Sequence, residues 1–415
     1  MKALIMGGGM SGLATAVNLL EQGIEVEIIE ADEIFGGRAN SWLDKDGDMI
    51  DNALHVFMSY YLNLQNFFKK LGDLGILGIT IAEEYGGSAQ GILMQALAIE
   101  SMSRVCPGLV MSYAAHSNLC ANNIYKNGSA EQKAKYLPDL TGGTKVGALG
   151  LTEPEAGSDA MGLRTRAREE GDGYVLNGTK MFITNGNIAN TILVYAKTDP
   201  EKKAKGISAF IVENTFPGFS VSKKIKKCGM RGSPTAELVF EDMLVPKDNL
   251  VYEKNKGVHV MTSGLAYERI VLAGACVGIA QQATEYSIQY AKVRNQFGRP
   301  IGSFQMIQQK LADMYSLTEA ARLLAYRAAV FADSPEGKKG GKGTDLDKLA
   351  ASAILFAAEA ATNICADGVQ IHGGYGYMTE GQVEHFYRDA KALDLFLESG
   401  SIAKSILADQ MAGRV

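Results

Sequence analysis

The chain has 415 residues, 47% of them hydrophobic, and carries 41 basic and 46 acidic residues for a net charge of −5. This composition fits a globular chain of one large or two to three ordinary domains; it argues against nucleic acid as the main partner, and no apolar stretch reaches the roughly 18 uncharged residues of a membrane span. Five scattered cysteines without a C-x-x-C motif, and five histidines without ligand spacing, predict no disulfide framework, no metal site and a reducing, cytoplasmic location.

The first predicted elements form a strand–turn–helix–strand unit. The run "KALIM" is typical of a short buried strand, "GGGMSG" of a turn, "LATAVNLLEQG" of a helix and "EVEIIE" of a second strand. Glycines at Gly7, Gly9 and Gly12 let a backbone approach a pyrophosphate at a helix N-terminus, and Glu30 stands where a carboxylate can accept a ribose hydroxyl. The pattern favours dinucleotide binding; a structural glycine turn is the alternative.

From Gly72 the pattern changes. Helical segments extend to "GSAEQKAKYLPDL", a block of apolar, strand-like runs follows, and the chain turns helical again after Asn255. Helices, then strands, then helices indicate three subregions rather than alternating βαβ units. Turns between the strand-like runs are predicted at Asp172-Gly173, Asn177-Gly178 and Asn185-Gly186.

One carboxylate stands at the edge of a long apolar helix. Glu268 and Arg269 precede "IVLAGACVGIA", eleven residues without a charge or a strongly polar group. A helix that is apolar all round is buried, so Glu268 faces a cavity or a partner. From the residues alone, three roles for Glu268 remain open. It could be a catalytic base, a salt-bridge partner of Arg269, or an acid at the start of a helix, where the helix dipole favours a negative charge.

The motifs of the middle region are long and specific. They are "LTEPEAGSD", "NGTKMFITNG", "GMRGSPTAELVFEDMLVP", "RNQFGRPIGSFQ" and "DGVQIHGGYGY". On these motifs the chain resembles the acyl-CoA dehydrogenase family from about residue 72 to 391, and "AHSNLC", "KYLPDL" and "SGLAYERIVLAG" resemble its isovaleryl-CoA branch. The resemblance implies a mixed, mainly α fold with a central β-barrel domain. It also implies FAD as cofactor and oxidation of a short branched acyl-CoA to the enoyl-CoA.

The resemblance also implies which carboxylate acts. In this family a carboxylate removes the α-proton while the β-hydride passes to flavin N5, and such a base has to be shielded from water. The isovaleryl-type branch carries the base on the helix that matches Glu268. Most other members carry it near the C-terminus, where Glu398 in "LFLESGS" falls one place late and is the second candidate.

Cofactor and substrate contacts follow from the same motifs. The positions that match contacts to the isoalloxazine are Leu149, Leu151, Thr152, Gly157, Ser158, Phe182 and Thr184. The positions that match contacts to the ADP half of a neighbouring subunit's FAD are Arg294, Phe297, Gln305, Gln370, Gly373 and Gly374. Ser158 and Arg269 match positions near CoA, although Ala266 replaces the Asp that is common there. A flavin shared by two chains implies an oligomer, expected to be a homotetramer, and the implied electron acceptor is electron-transferring flavoprotein.

Both ends resemble a different class of flavoprotein. The run "GGRANSW", with Arg38, resembles the front of FAD-dependent amine oxidases and carotenoid desaturases, and the tail resembles their last helix. This predicts a Rossmann-like FAD segment at 1–71, a truncated helical domain at 72–145, a β-barrel at 146–250, a four-helix domain at 251–391 and a tail helix at 392–415. An oxidoreductase of that second class, or an inactive chimera with two incomplete flavin sites, is the alternative function.

Overall fold

The computed structural model describes residues 61–339, 343–395 and 400–412, together with the backbone of four short strands nearer the N-terminus. Contacts between residues divide the chain into two compact units, Met1–Phe67 and Phe68–Val415. The division falls close to the point where the sequence pattern changes.

The four short strands of the first unit form two pairs. Strand β1 (Lys2–Met6) pairs in parallel with β2 (Glu25–Ile29), with Ala3 opposite Val26, and β3 (Trp42–Leu43) pairs antiparallel with β4 (Met49–Ile50). Two parallel strands need a crossover between them, so this pairing agrees with the predicted strand–turn–helix–strand unit. The glycine-rich turn itself lies outside the described residues.

Helices occupy most of the described segment 61–141. The run from Pro107 to Asn127 is continuous but passes through a π-helical segment, Ala115–Asn122. The last helix begins after Ser129, whose hydroxyl accepts from the Gln132 amide at 3.2 Å while the Gln132 side chain accepts in return at 3.1 Å, a capping box. The α-helices are α1 (Tyr61–Asp73), α2 (Ile92–Val105), α3 (Pro107–Ala114), α4 (Asn123–Asn127) and α5 (Ala130–Thr141).

A mixed sheet of eight strands follows. The strands are β5 (Gly147–Gly150), β6 (Arg166–Glu170), β7 (Gly173–Thr184), β8 (Thr191–Lys197), β9 (Ile207–Glu213), β10 (Phe219–Lys224), β11 (Thr235–Pro246) and β12 (Leu250–Val251). Their order is β10-β11-β7-β6-β8-β9-β12, and β5 lies parallel to β8. Side chains on one face of the long strands are buried together, around Ala148, Leu176, Val194 and Phe210.

The predicted β-barrel is not shown: within the residues described, the eight strands form one mixed sheet whose end strands β10 and β12 do not pair with each other. Five of the six β10 residues are exposed, and that strand ends on Lys223 and Lys224. Strand β12 has only two residues. An exposed strand with lysines at its end and a very short strand both resist further pairing.

The predicted turn at Asn177-Gly178 is wrong, because both residues lie inside β7. Gly178 is paired with Phe240 of β11. A Cβ at Gly178 would lie 2.5 Å from the Thr165 hydroxyl oxygen, so the glycine permits close packing of two segments rather than a reversal of the chain.

The last third of the chain is a helical bundle on which short helices pack. The elements are α6 (Gly257–Val293), α7 (Gln305–Asp333), α8 (Pro335–Lys338), α9 (Asp345–His372), α10 (Gly374–Tyr377), α11 (Gln382–Leu395) and α12 (Gly400–Ala412), with a hairpin of β13 (Asn295–Gln296) and β14 (Arg299–Pro300). Helix α9 packs against α6, α7, α11 and the tail helix α12.

Two of these helices, α6 and α9, are long and apolar enough to cross a membrane by length and composition, with mean hydropathies of 1.3 and 1.5 in their most apolar stretches. In the fold, 83% and 56% of those stretches is buried. Their composition is that of helices at the centre of a globular domain.

Candidate active site

Glu268 is buried in the first third of α6, with 3% of its surface exposed. The preceding turns of α6 pack, through Val260 and Met261, into an apolar cluster that contains Tyr195 of β8. Burial raises the pKa of the Tyr195 hydroxyl, and the charges of Cys120 and Glu268 add to that rise. The Glu268 carboxylate is therefore shielded from solvent in the fold.

The residue after Glu268 is held by a buried ion pair. Arg269 Nη1 donates to Asp347 Oδ1 of α9 at 2.6 Å, and both residues are less than 9% exposed. Asp347 Oδ2 also accepts from the Gly343 amide at 3.1 Å and from Gln410 Nε2 of the tail helix at 3.2 Å. Arg269 thus anchors α6 to α9 and to the tail.

The predicted isoalloxazine contacts lie on β5, on the segment that follows it and on β7. The Met181 amide of β7 donates to the Thr152 carbonyl at 2.8 Å, which holds the segment after β5 beside β7. Phe182 is 58% exposed, with a φ of 60° that only a constrained residue keeps. Leu149, Leu151, Thr152 and Thr184 are half-buried, and Gly157 and Ser158 are exposed.

The structure contains a buried ion pair beside these contacts that the sequence analysis does not predict. Lys180 Nζ donates to Glu153 Oε1 at 2.7 Å and to the Leu151 carbonyl at 3.0 Å, and the lysine side chain is fully buried. Burial lowers the pKa of Lys180 to about 8. The two charges stand inside the motifs "LTEPEAGSD" and "NGTKMFITNG", and a charge within an apolar strand-like run is the signal that could have revealed Lys180.

A cavity of about 600 Å³ lies where α6, the hairpin and the end of α9 meet. Its lining includes three of the predicted ADP contacts, Arg294, Gly373 and Gly374, together with Tyr290 and Tyr375. The Arg294 guanidinium carbon lies 5.5 Å from the Tyr375 ring centre. A Cβ at Gly373 or Gly374 would meet no atom within 4 Å, so the backbone there is open to a ligand.

The remaining predicted site residues either do not line this cavity or lie outside the described residues. Phe297 is 92% exposed at the tip of the hairpin, and Gln305 and Gln370 are exposed and do not line the cavity. Glu398, the second candidate base, lies outside the described residues, as do Gly7, Gly9, Gly12, Glu30 and Arg38.

Comparison with known proteins gives three family matches that together cover most of the chain. The acyl-CoA dehydrogenase N-terminal, middle and C-terminal domains match residues 57–144, 148–243 and 255–412. The isovaleryl-CoA dehydrogenase, mitochondrial, of Pongo abelii is 44% identical over 84% of this chain and 81% of its own length. This chain belongs to the acyl-CoA dehydrogenase family. The 2-methylacyl-CoA dehydrogenase, mitochondrial, of Solanum tuberosum is 45% identical over 83% of this chain and 82% of its own length.

Solved structures agree with the fold of this acyl-CoA dehydrogenase. The butyryl-CoA dehydrogenase of Megasphaera elsdenii is 40% identical, with a TM-score of 0.78 over 83% of this chain and 88% of its own. A chain from a structure described as electron transferring flavoprotein of Acidaminococcus fermentans is 40% identical, with a TM-score of 0.80 over 84% and 90% of the two chains. An acyl-CoA dehydrogenase complexed with FAD from Bacillus anthracis is 37% identical, with a TM-score of 0.79 over 85% and 62%.

The enzyme class and the cofactor predicted from the motifs are confirmed: members of this family are FAD-dependent oxidoreductases that act on the CH–CH bond of an acyl-CoA. The residues present fit this cofactor. An exposed aromatic side chain at Phe182, an open turn at Gly157 and a cavity beside Arg294 provide surface for a ring, a turn for close approach and a cation for phosphate. A further match, to the NAD(P)-binding Rossmann-like domain, covers residues 5–71 and overlaps the start of the N-terminal domain.

Proposed function

We propose that this acyl-CoA dehydrogenase oxidises a short, branched acyl-CoA of the isovaleryl type to its α,β-enoyl-CoA, with Glu268 as the base. The observation that carries the proposal is the burial of Glu268 on α6, where 3% of its surface is exposed. A base that takes a weakly acidic α-proton works best where water does not solvate its charge.

The neighbouring groups support a fixed position for this base. Because Arg269 is paired with Asp347 at 2.6 Å, the backbone of α6 next to Glu268 is tied to α9. The carboxylate can therefore be aimed at one carbon atom of a bound thioester. Phe182, Thr184 and the turn from Leu151 to Ser158 would hold the isoalloxazine, and Arg294, Gly373 and Gly374 would hold the ADP half. FAD, when bound, accepts the hydride from the β-carbon.

A branched substrate is supported by the relatives whose printed names are isovaleryl-CoA and 2-methylacyl-CoA dehydrogenase, at 44% and 45% identity. The butyryl-CoA dehydrogenase of similar fold represents the straight-chain alternative. Anaerobic titration of the FAD-loaded enzyme with each acyl-CoA tests the choice. We expect isovaleryl-CoA to bleach the visible flavin band at the lowest concentration; preferential bleaching by butyryl-CoA would contradict a branched substrate.

The assembly and the electron acceptor are part of the proposal. Arg294 and Phe297 match positions that contact a neighbouring subunit's FAD in the family, and Phe297 is 92% exposed on a short hairpin, so we propose a homotetramer with each FAD shared by two chains. The similarity to a chain from the electron transferring flavoprotein structure supports that flavoprotein as acceptor. Light scattering of the FAD-loaded enzyme tests the assembly, and a monomer that binds FAD fully would contradict it.

The predicted regions and location also remain proposals. We keep the boundaries 1–71, 72–145, 146–250, 251–391 and 392–415 as working limits for truncation. A cytoplasmic location is proposed from the scattered cysteines and from the bacterial relatives, such as the acyl-CoA dehydrogenase of Bacillus subtilis. The plant and animal relatives are instead named mitochondrial.

A second candidate function rests on the first unit. The match to the NAD(P)-binding Rossmann-like domain over residues 5–71, with a parallel β1–β2 pair, supports nucleotide binding there by Gly7, Gly9, Gly12, Glu30 and Arg38. The measured ratio of bound FAD to protein chains distinguishes FAD binding in the acyl-CoA dehydrogenase region from FAD binding in the first unit. A ratio near one that survives Gly9→Val assigns the flavin to the acyl-CoA dehydrogenase region, whereas loss of FAD in Gly9→Val assigns it to the first unit.

A further inference from the structure

The buried ion pair between Glu153 and Lys180 connects the segments that carry the predicted flavin contacts. Glu153 lies in the turn after β5, and Lys180 lies in β7, two residues before Phe182. Lys180 Nζ reaches both the Glu153 carboxylate at 2.7 Å and the Leu151 carbonyl at 3.0 Å. One ammonium group thus fixes two points of the turn against the strand.

The carboxylate of Glu153 is itself surrounded by donors. Its Oε1 atom accepts from the Thr165 amide at 3.0 Å and from the Thr165 hydroxyl at 2.6 Å, and its Oε2 atom accepts from the Arg164 amide. Burial alone would raise the pKa of Glu153, but Lys180 and these donors outweigh burial and lower it. The Glu153 carboxylate is therefore held in its charged form beside the Lys180 ammonium group.

The backbone of Glu153 closes the turn that leads to Gly157 and Ser158. The Glu153 amide donates to the Ala156 carbonyl at 3.1 Å, and the Ala156 amide donates back to the Glu153 carbonyl at 3.2 Å. The residues after this closed turn are exposed, as is Phe182 on the strand. The buried pair thus joins the two segments that carry these exposed groups.

We propose that the Glu153–Lys180 ion pair is a positioning device that holds the turn from Leu151 to Ser158 in register with Phe182 and Thr184, and so sets FAD affinity and the flavin's surroundings. This rests on the proposed flavin contacts. A buried pair of charges is a poor source of net stability, because desolvation offsets its Coulombic attraction, but it enforces one geometry. The pair therefore acts on the cofactor through the segments that it joins.

The test uses Glu153→Gln, Lys180→Met and the double variant, each purified as the full chain. The readouts are the FAD Kd, the visible spectrum of the bound flavin and the two-electron potential, with urea unfolding of the FAD-free protein as a separate measure of stability. Each single variant leaves one buried charge unpaired and loses stability. The double variant regains much of that stability, yet we expect its FAD Kd to stay about tenfold above wild type or higher, with a shifted visible band.

Glu100→Gln is the matched control. Glu100 pairs with Arg322 at 3.1 Å and accepts from the Tyr326 hydroxyl at 2.7 Å in a second, largely buried pair that joins α2 to α7. Its loss should reduce stability without moving the FAD Kd or the spectrum. A double variant with wild-type FAD Kd and spectrum, or a control that weakens FAD binding equally, would overturn the proposal.

A milder variant keeps the test decisive where a charge variant does not fold. Thr165→Val removes one hydroxyl donor to Glu153 with little change of shape, and we expect the FAD Kd to rise several-fold; an unchanged Kd would overturn the proposal. A wild type that retains FAD but is not bleached by any acyl-CoA would contradict the proposed function alone. A wild type that binds no FAD would overturn both.

Discussion

The Nδ1 atom of His116 accepts a hydrogen bond from the backbone amide of Gly147 at 2.9 Å. Because Nδ1 accepts, Nε2 carries the ring proton and donates to the Leu140 carbonyl at 2.9 Å. The ring is fully buried, and burial lowers the pKa of His116 to about 4. A neutral imidazole thus ties the π-helical segment to the start of β5, the strand that leads to Leu149 and Leu151.

Acid should weaken the fold through this histidine. The unfolded chain binds a proton near pH 6.5 and the folded chain only near pH 4, so the stabilisation is fully present above pH 6.5 and is lost as the pH falls toward 4, by up to about 3 kcal/mol. Urea unfolding at pH 7.5, 5.5 and 4.5 measures the free energy for wild type and His116→Gln. We expect the wild-type advantage to shrink on acidification; an advantage that stays constant with pH would show that His116 is not the titrating group.

Removing the Phe182 ring should weaken FAD binding without harming the fold. The side chain is 58% exposed, so Phe182→Ala loses little burial, whereas a stacked ring contributes roughly 0.5–1.5 kcal/mol. We expect a several-fold higher FAD Kd and an unchanged melting temperature.

Tyr252→Ala is the matched control for Phe182, since Tyr252 is also an exposed aromatic, at 51%, with a positive φ of 64°. Its loss should leave FAD binding unchanged. Equal FAD affinities of the two variants would remove Phe182 from the flavin site.

Breaking the buried pair beside the base should destabilise the protein strongly. Asp347→Asn keeps the shape of the side chain but leaves the Arg269 guanidinium without its carboxylate, a change that costs about 3–5 kcal/mol in buried sites. Asp345→Asn, two residues earlier on α9, breaks an exposed pair with Lys348 and removes one charge at the helix N-terminus, so it should cost about 1 kcal/mol or less. Similar unfolding curves for both variants would contradict the structural role of Asp347.

Filling the cavity beside Arg294 should block the ADP half of FAD. A Cβ at Gly374 meets no protein atom within 4 Å, so Gly374→Val can fold while its side chain occupies open space. We expect a wild-type melting temperature for the FAD-free protein, together with an FAD Kd at least about tenfold higher. Normal FAD binding by a folded Gly374→Val would place the ADP half elsewhere.

The long strands and helices could be predicted because their apolar runs are continuous. "NTILVYAKT" and "GISAFIVE" contain β8 and β9, and "IVLAGACVGIA" lies in the buried part of α6. Strands β6 and β10 were not predicted, since "RAREE" and "FSVSKK" are mostly exposed and show no apolar run. Their pairing depends on neighbours that only the tertiary structure provides.

Part of the candidate site could be predicted from the sequence and part could not. Glu268 stands out in the sequence because its surroundings are apolar, and the structure places it in a buried position. The pairing of Lys180 with Glu153 could not be predicted, because the two residues are far apart in the sequence and meet only in the folded chain, where Met181 is also hydrogen-bonded to Thr152. The predicted turn at Asn177-Gly178 failed for a related reason, since contact with Thr165 explains that glycine.

In the proposed function, the buried carboxylate of Glu268 on α6 removes the α-proton of a bound acyl-CoA. The most direct test is anaerobic mixing of isovaleryl-CoA with FAD-loaded wild type, Glu268→Gln and Glu398→Gln, followed at the visible flavin band. We expect rapid bleaching in wild type and in Glu398→Gln, and bleaching slowed by about 1,000-fold or more in Glu268→Gln despite normal FAD content. Bleaching at the wild-type rate in Glu268→Gln, or its loss only in Glu398→Gln, would contradict the account.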